Sequence, residues 1–236
     1  MNAQRVEQCA GRSRKSAAVD LAILITFFFA CSLSLPWLAP MLRRGQGLGM
    51  VLAAASYQFT FEGFAPLLIM AFRHERFAGL GFARKNLGRS LAMALGLAVV
   101  YDLLLSLRAG ELRWVPLRRQ PAVHMSLALP LPQCVCGLAA CVLAWGFFEA
   151  FFGIYLARKV NAICSHSGSG WLSPGALAFA LFNGAIHLIV GQGLEGFVTS
   201  AASGYAIAVI PAVTQNSWGS ALVQTLTNAA GKLRSI

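Results

Sequence analysis

The chain has 236 residues, of which 57% are hydrophobic and only 11% charged, with a mean hydropathy of +0.65 and a formal net charge of +11. A soluble globular domain of this size carries about a quarter charged residues, so the composition excludes that class and predicts one integral membrane domain over residues 1–236. The surplus of Lys and Arg falls in the gaps between apolar runs, so membrane lipids with anionic headgroups are the expected partner and nucleic acid is not.

A helix rising about 1.5 Å per residue needs about 20 apolar residues to cross a hydrocarbon core of about 30 Å. By that measure the chain predicts an all-α polytopic transmembrane bundle of about seven spans, with six and eight as the neighbouring counts. Arg5, Arg12, Arg14 and Lys15 precede a first span at Leu21–Leu42, which holds no charge. That run is too long for a signal-peptide core and Arg43–Arg44 follows it, so a retained anchor is expected. The second span lies within Gly45–Phe72 and carries Glu62; the third, Leu91–Leu107, carries Asp102.

From Gln120 onward, Pro121, Pro130 and Pro132 predict a broken or interfacial entry to a fourth span at Gln133–Leu156, which Arg158 and Lys159 end. Beyond Lys159 the only charge before Lys232 is Glu195, and Gly, Pro and Ser divide this region into spans at Pro174–Val190, Phe197–Val213 and Trp218–Ala229. Alternate gaps counted from the N-terminus hold eleven basic residues against eight in the other set. By the positive-inside rule this favours a cytoplasmic N-terminus, in a multi-pass protein of the cell (inner or cytoplasmic) membrane.

Six cysteines raise the question of metal or disulfide chemistry, with Cys134, Cys136 and Cys141 close together. Helical residues two apart do not face each other, and no second pair stands at zinc-finger spacing, so buried free thiols are expected. Cys164 and His166 flank a Ser/Gly-rich turn, Ser165–Gly170, without the strand-to-helix setting of a nucleophile elbow, and it reads as a loop.

Three polar residues inside separate apolar segments carry the functional signal: Glu149, His187 and Asn228. An ionisable group at bilayer depth costs about 2.5–3.5 kcal/mol on insertion scales, so it persists where partners or a wet cavity compensate it. Glu149 stands among aromatic residues in Trp145-Gly-Phe-Phe-Glu149-Ala-Phe-Phe, a setting that suits a general base. Phe179, Asn183 and His187 recur every four residues and share a helix face, as do Ser220, Gln224 and Asn228. Buried amides can donate to a developing oxyanion; equally, each of these groups can serve packing, by joining helices through hydrogen bonds. Glu195 is expected to cap or orient the helix it begins.

The same residues resemble the CPBP intramembrane proteases, the family of the CAAX prenyl endopeptidases and bacteriocin-processing or self-immunity relatives. Its marks are EExxxR, then FxxxH, then HxxxN or HxxxD on successive membrane helices. Phe148-Glu149-Ala-Phe-Phe-Gly153-Ile-Tyr-Leu looks like the first, Phe182-Asn183-Gly-Ala-Ile-His187 like the second, and Gln224-Thr-Leu-Thr-Asn228 gives QxxxN in place of the third. The resemblance covers Trp145–Asn228, with Glu149, His187 and Gln224 spaced by 38 and 37 residues. If Tyr155 and Leu156 set the alignment, Glu149 is the second glutamate, with Phe148 at the first and Gly153 at the arginine. If Glu149 is the first, Ala150 and Ile154 take those places.

The resemblance implies an endopeptidase that cuts a hydrophobic or membrane-anchored protein or peptide. Glu149 would activate water, while His187 and Asn228, assisted by Gln224, polarise the scissile carbonyl. No cofactor or metal is expected, because one histidine and two amides make a poor zinc set. The missing arginine, the single glutamate and Gln224 favour an alternative, a non-catalytic relative that binds a hydrophobic or lipidated peptide as an immunity factor or scaffold. A small transporter relaying protons through Glu62, Asp102 and Glu149 is a third reading, without the inverted repeat that such folds carry.

Overall fold

The computed structural model describes residues 3–34, 37, 40, 47–110, 121–165 and 170–228. Arg43–Arg44, Gln120, His166, Ala229 and Lys232 lie outside the described residues, as do the side chains of Arg5 and Arg12. Among those described, every regular element is a helix. In chain order they are α1 (Ala3–Ser32), α2 (Gly47–Gln58), α3 (Ala65–Arg73), α4 (Leu87–Ala109), α5 (Pro121–Leu127), α6 (Leu131–Cys141), α7 (Glu149–Ile163), α8 (Pro174–His187), α9 (Gly193–Thr214) and α10 (Trp218–Thr227). Three π-helical segments interrupt them: Phe59–Phe64 joins α2 to α3, Val142–Phe148 joins α6 to α7, and Leu188–Gln192 follows α8.

Each of the seven stretches read as spans contains helix, and four segments are both long and apolar enough to cross a membrane: Ser13–Ser32, Leu87–Leu107, Leu131–Ile163 and Pro174–Thr214. The last folds back on itself. Gly191 and Gly193 adopt φ of +82° and +67°, a left-handed region that glycine reaches without a Cβ penalty. The chain thereby reverses, so that α8 and α9 pack side by side and Asn183 Nδ2 donates to the Ser200 carbonyl at 2.9 Å. The prolines act as expected: α5 is a short separate helix, Pro130 is the N-cap of α6, and Pro132 sits in its first turn, where the missing N–H is not needed.

The first span departs from its expected bounds. The sequence reading begins it at Leu21, after Asp20, whereas the apolar helix runs from Ser13 to Ser32 with Asp20 inside it. The reason is pairing. Asp20 Oδ1 accepts from Arg73 Nη2 at 2.8 Å, Asp20 Oδ2 accepts from Lys159 Nζ at 2.9 Å, and Lys159 also reaches Glu75 Oε1 at 2.6 Å. Lys159 lies over the Tyr155 ring, 4.7 Å from its centroid, a cation–π placement. Arg158 and Lys159, read together as a stop signal, therefore have different fates: Lys159 is buried and Arg158 is exposed.

The centre of the bundle is α7, which buries every residue from Ala150 to Ala157, as a helix must when it is surrounded on all sides. It runs antiparallel to α1, since the Phe28 and Phe152 ring centroids are 5.2 Å apart while Asp20 meets Lys159. It is also antiparallel to α8: a Cβ on Gly175 would overlap the Ala157 carbonyl, and one on Gly153 would overlap the Phe179 ring. Small residues admit this close approach, the usual way helices associate in lipid.

The thiols correct the expectation of burial. Cys141 is buried, but Cys31 and Cys134 are only partly covered, and Cys136 and Cys164 are exposed, all five being free. Cys134 and Cys136 point away from the core because α6 packs on α2 and α5 through its other side, where Gly137 meets Ser126.

Candidate functional site

A polar layer crosses the bundle where α7 begins. Asn228 caps the C-terminal end of α10, and its Nδ2 donates both to Glu149 Oε2 at 3.0 Å and to the Trp145 carbonyl at 3.2 Å. One turn earlier on α10, the Gln224 side chain lies near the same carboxylate. Its amide orientation is fixed from behind, because Ser203 Oγ on α9 donates to Gln224 Oε1 at 3.2 Å and also lies 3.2 Å from Thr227 Oγ1. With its oxygen so engaged, the part of the Gln224 amide that remains for the site is the NH2 donor. Gln224 and Thr227 are buried, while Glu149 and Asn228 are partly buried.

The structure thus brings Glu149, Gln224 and Asn228 into one cluster. His187 reaches the same end of the bundle by register. Opposite α7, Gly175 faces Ala157 and Phe179 faces Gly153, so the antiparallel course of α8 carries its last residue, His187, toward the Trp145–Glu149 end. The face shared by Phe179, Asn183 and His187 is divided between neighbours: Phe179 packs on α7, and Asn183 bonds to α9. On α10, Ser220 donates to the Ile207 carbonyl at 2.6 Å, so it joins α10 to α9 rather than entering the site. Glu195 is exposed in the first turn of α9, where a negative charge complements the helix dipole. Asp102 is buried on α4.

Glu62 is the residue that the sequence reading did not join to this site. It is buried, accepts from Gln58 Nε2 at 2.6 Å, and feels the charge of Glu149. The π segment that carries it packs directly on α7's entry: the Phe59 and Phe148 rings are 4.7 Å apart, and a Cβ on Gly63 would stand 2.8 Å from the Phe148 ring. A signal for it existed, since Phe61-Glu62-Gly63-Phe64 repeats the pattern of Phe148-Glu149-Ala150-Phe151. Both glutamates also lie at π segments, and His187 immediately precedes the third. Such insertions rotate one helical turn out of register and recur at functional sites.

Among the described residues no group of three or more His, Cys, Asp or Glu is placed to hold a metal. Fold and site together define a helical membrane protein with a carboxylate and amide cluster inside its bundle. No protein-family model, curated protein or solved structure matches the chain.

Proposed function

We propose that the chain is a multi-pass protein of the cell (inner or cytoplasmic) membrane that acts as an intramembrane endopeptidase of the CPBP/CAAX-protease type. Its substrate is a hydrophobic or membrane-anchored protein or peptide. The observation that supports this most is the Glu149 carboxylate, held by side-chain amides inside the bundle at the 3.0 Å contact with Asn228. As general base, Glu149 takes a proton from water as its oxygen attacks the scissile carbonyl, and later returns it to the leaving amine. Asn228 has both Nδ2 hydrogens engaged, by Glu149 and Trp145, so its part is to orient the base. The Gln224 amide and His187 stabilise the tetrahedral oxyanion.

The test is cleavage of co-expressed candidate membrane substrates in proteoliposomes. Glu149→Gln keeps the shape and the amide contacts, so the variant is expected to fold normally and lose cleavage. Full proteolysis by Glu149→Gln and by His187→Ala would sink the mechanism.

A second reading, a non-catalytic member that binds a hydrophobic or lipidated peptide as immunity factor or scaffold, draws on one specific observation. At Gly153 even a methyl group would overlap Phe179, so the arginine of the family motif has no room there. Specific substrate binding, undiminished in Glu149→Gln and without cleavage in either protein, would favour this second reading.

A further inference from the structure

Two candidate membrane spans, Leu131–Ile163 and Pro174–Thr214, end beside each other. Between their last turns and the 3₁₀ turn Phe77–Leu80 opens a cavity of about 450 Å³. Its inner wall is apolar and built from small side chains, including Ala157, Ala208 and Ala212, while Arg158, Asn161 and Gln215 bring polar groups to it. This is a different place from the carboxylate cluster, since Arg158 lies nine residues along α7 from Glu149, about 13 Å at the helical rise.

The chemistry of the lining is that of an anion site. Lys159 is neutralised by Asp20 and Glu75, whereas Arg158 donates to the Gly79 carbonyl and has no carboxylate beside it among the described residues. That bond fixes the guanidinium at the cavity while engaging only part of its five-donor fork. Asn161 Oδ1 accepts from Ser173 Oγ at 3.0 Å and from the Gly175 N–H at 2.8 Å. With its oxygen occupied on α8, the end of Asn161 that remains for the cavity is the NH2 donor.

The cavity is also preformed. The Ser217 N–H donates to the Gly81 carbonyl at 3.0 Å, and Asn216 Nδ2 donates to the carbonyls of Ala83 and Lys85 at 2.7 and 2.8 Å. Asn86 Nδ2 returns the link to the Thr214 carbonyl at 2.8 Å. These bonds stitch the loop that contains Phe77–Leu80 to the end of α9, so a ligand need not order the walls.

We propose that this cavity binds the phosphate headgroup of an anionic phospholipid. Its place where two spans end is the level of lipid phosphates, its volume suits a small polar headgroup, and a planar guanidinium pairs with phosphate through two parallel bonds. The site binds lipid whether or not Glu149 is catalytic.

The experiment uses the full chain in neutral detergent, with added phosphatidylglycerol, phosphatidylcholine or inorganic phosphate, read by thermal unfolding and by native mass spectrometry. Phosphatidylglycerol is expected to raise the midpoint and to remain bound at one copy, and phosphatidylcholine to do neither. Arg158→Gln should weaken phosphatidylglycerol retention about tenfold, the order of one charge-assisted contact. Ala162→Leu, which fills the cavity without changing charge, should weaken it similarly. Retention equal to wild type in both variants would overturn the proposal. So would equal protection by inorganic phosphate, which would make the occupant a soluble anion.

Discussion

Lys159 concentrates the electrostatics of the fold in one side chain. It is 6% exposed, yet its ammonium satisfies Asp20 and Glu75 and caps the Tyr155 ring. Removing one member of a buried pair costs more than the pair contributes, because the remaining charge stays desolvated; about 3–5 kcal/mol is usual. Arg73 still holds Asp20 after such a change, which places Lys159→Met near the lower end, at about 3 kcal/mol. Unfolding in mixed micelles should show that loss, and the double variant Asp20→Asn with Lys159→Met should recover part of it. A double variant no more stable than the single one would mean that Asp20 does not depend on Lys159.

At the scale of elements, contact between α7 and α8 depends on glycine. Gly175→Ala would drive a methyl into the Ala157 carbonyl, backbone that cannot rotate away, so a cost of about 1–3 kcal/mol is expected. Gly88→Ala is the control, since nothing lies within 4 Å of a Cβ there, and it should be neutral or stabilising by up to about 1 kcal/mol. Equal losses in thermal unfolding for the two variants would refute the close-packing account.

The helices were legible in the sequence because uninterrupted apolar runs leave a backbone in lipid little alternative to internal hydrogen bonds. Glu149, Gln224 and Asn228 were legible because polar residues stand out against such runs. Asp20 was not, since its partners Arg73 and Lys159 are 53 and 139 residues away, and periodicity carries no information over those separations. Nor were the π segments, which change register without changing composition, so Glu62 could be placed in a span but not beside Glu149.

For the whole molecule, the charge distribution has a direction. Asp20, Arg73, Glu75, Lys159 and the Asn216–Ser217 turn all lie toward one end of the bundle, linked by the ion pairs and by the stitched loops. The basic gaps around Arg14, Arg73 and Arg158 are therefore on that same end, for which the positive-inside rule predicts a cytoplasmic side. Between the ends the surface is apolar: Val99, Leu104, Leu181 and Ile189 are all more than half exposed, a breadth of bare hydrocarbon that soluble monomers avoid. Single-cysteine chains test both statements. Cys164 is exposed and follows the last residue of the Leu131–Ile163 span, so a membrane-impermeant maleimide should label it in inside-out vesicles and leave it untouched in right-side-out ones. A cysteine at Val99→Cys, midway along Leu87–Leu107, should stay unlabelled in both, because a thiol in hydrocarbon does not ionise to the reactive thiolate. Labelling of Cys164 only from outside would invert the orientation, and prompt labelling at position 99 in intact vesicles would remove α4 from the bilayer.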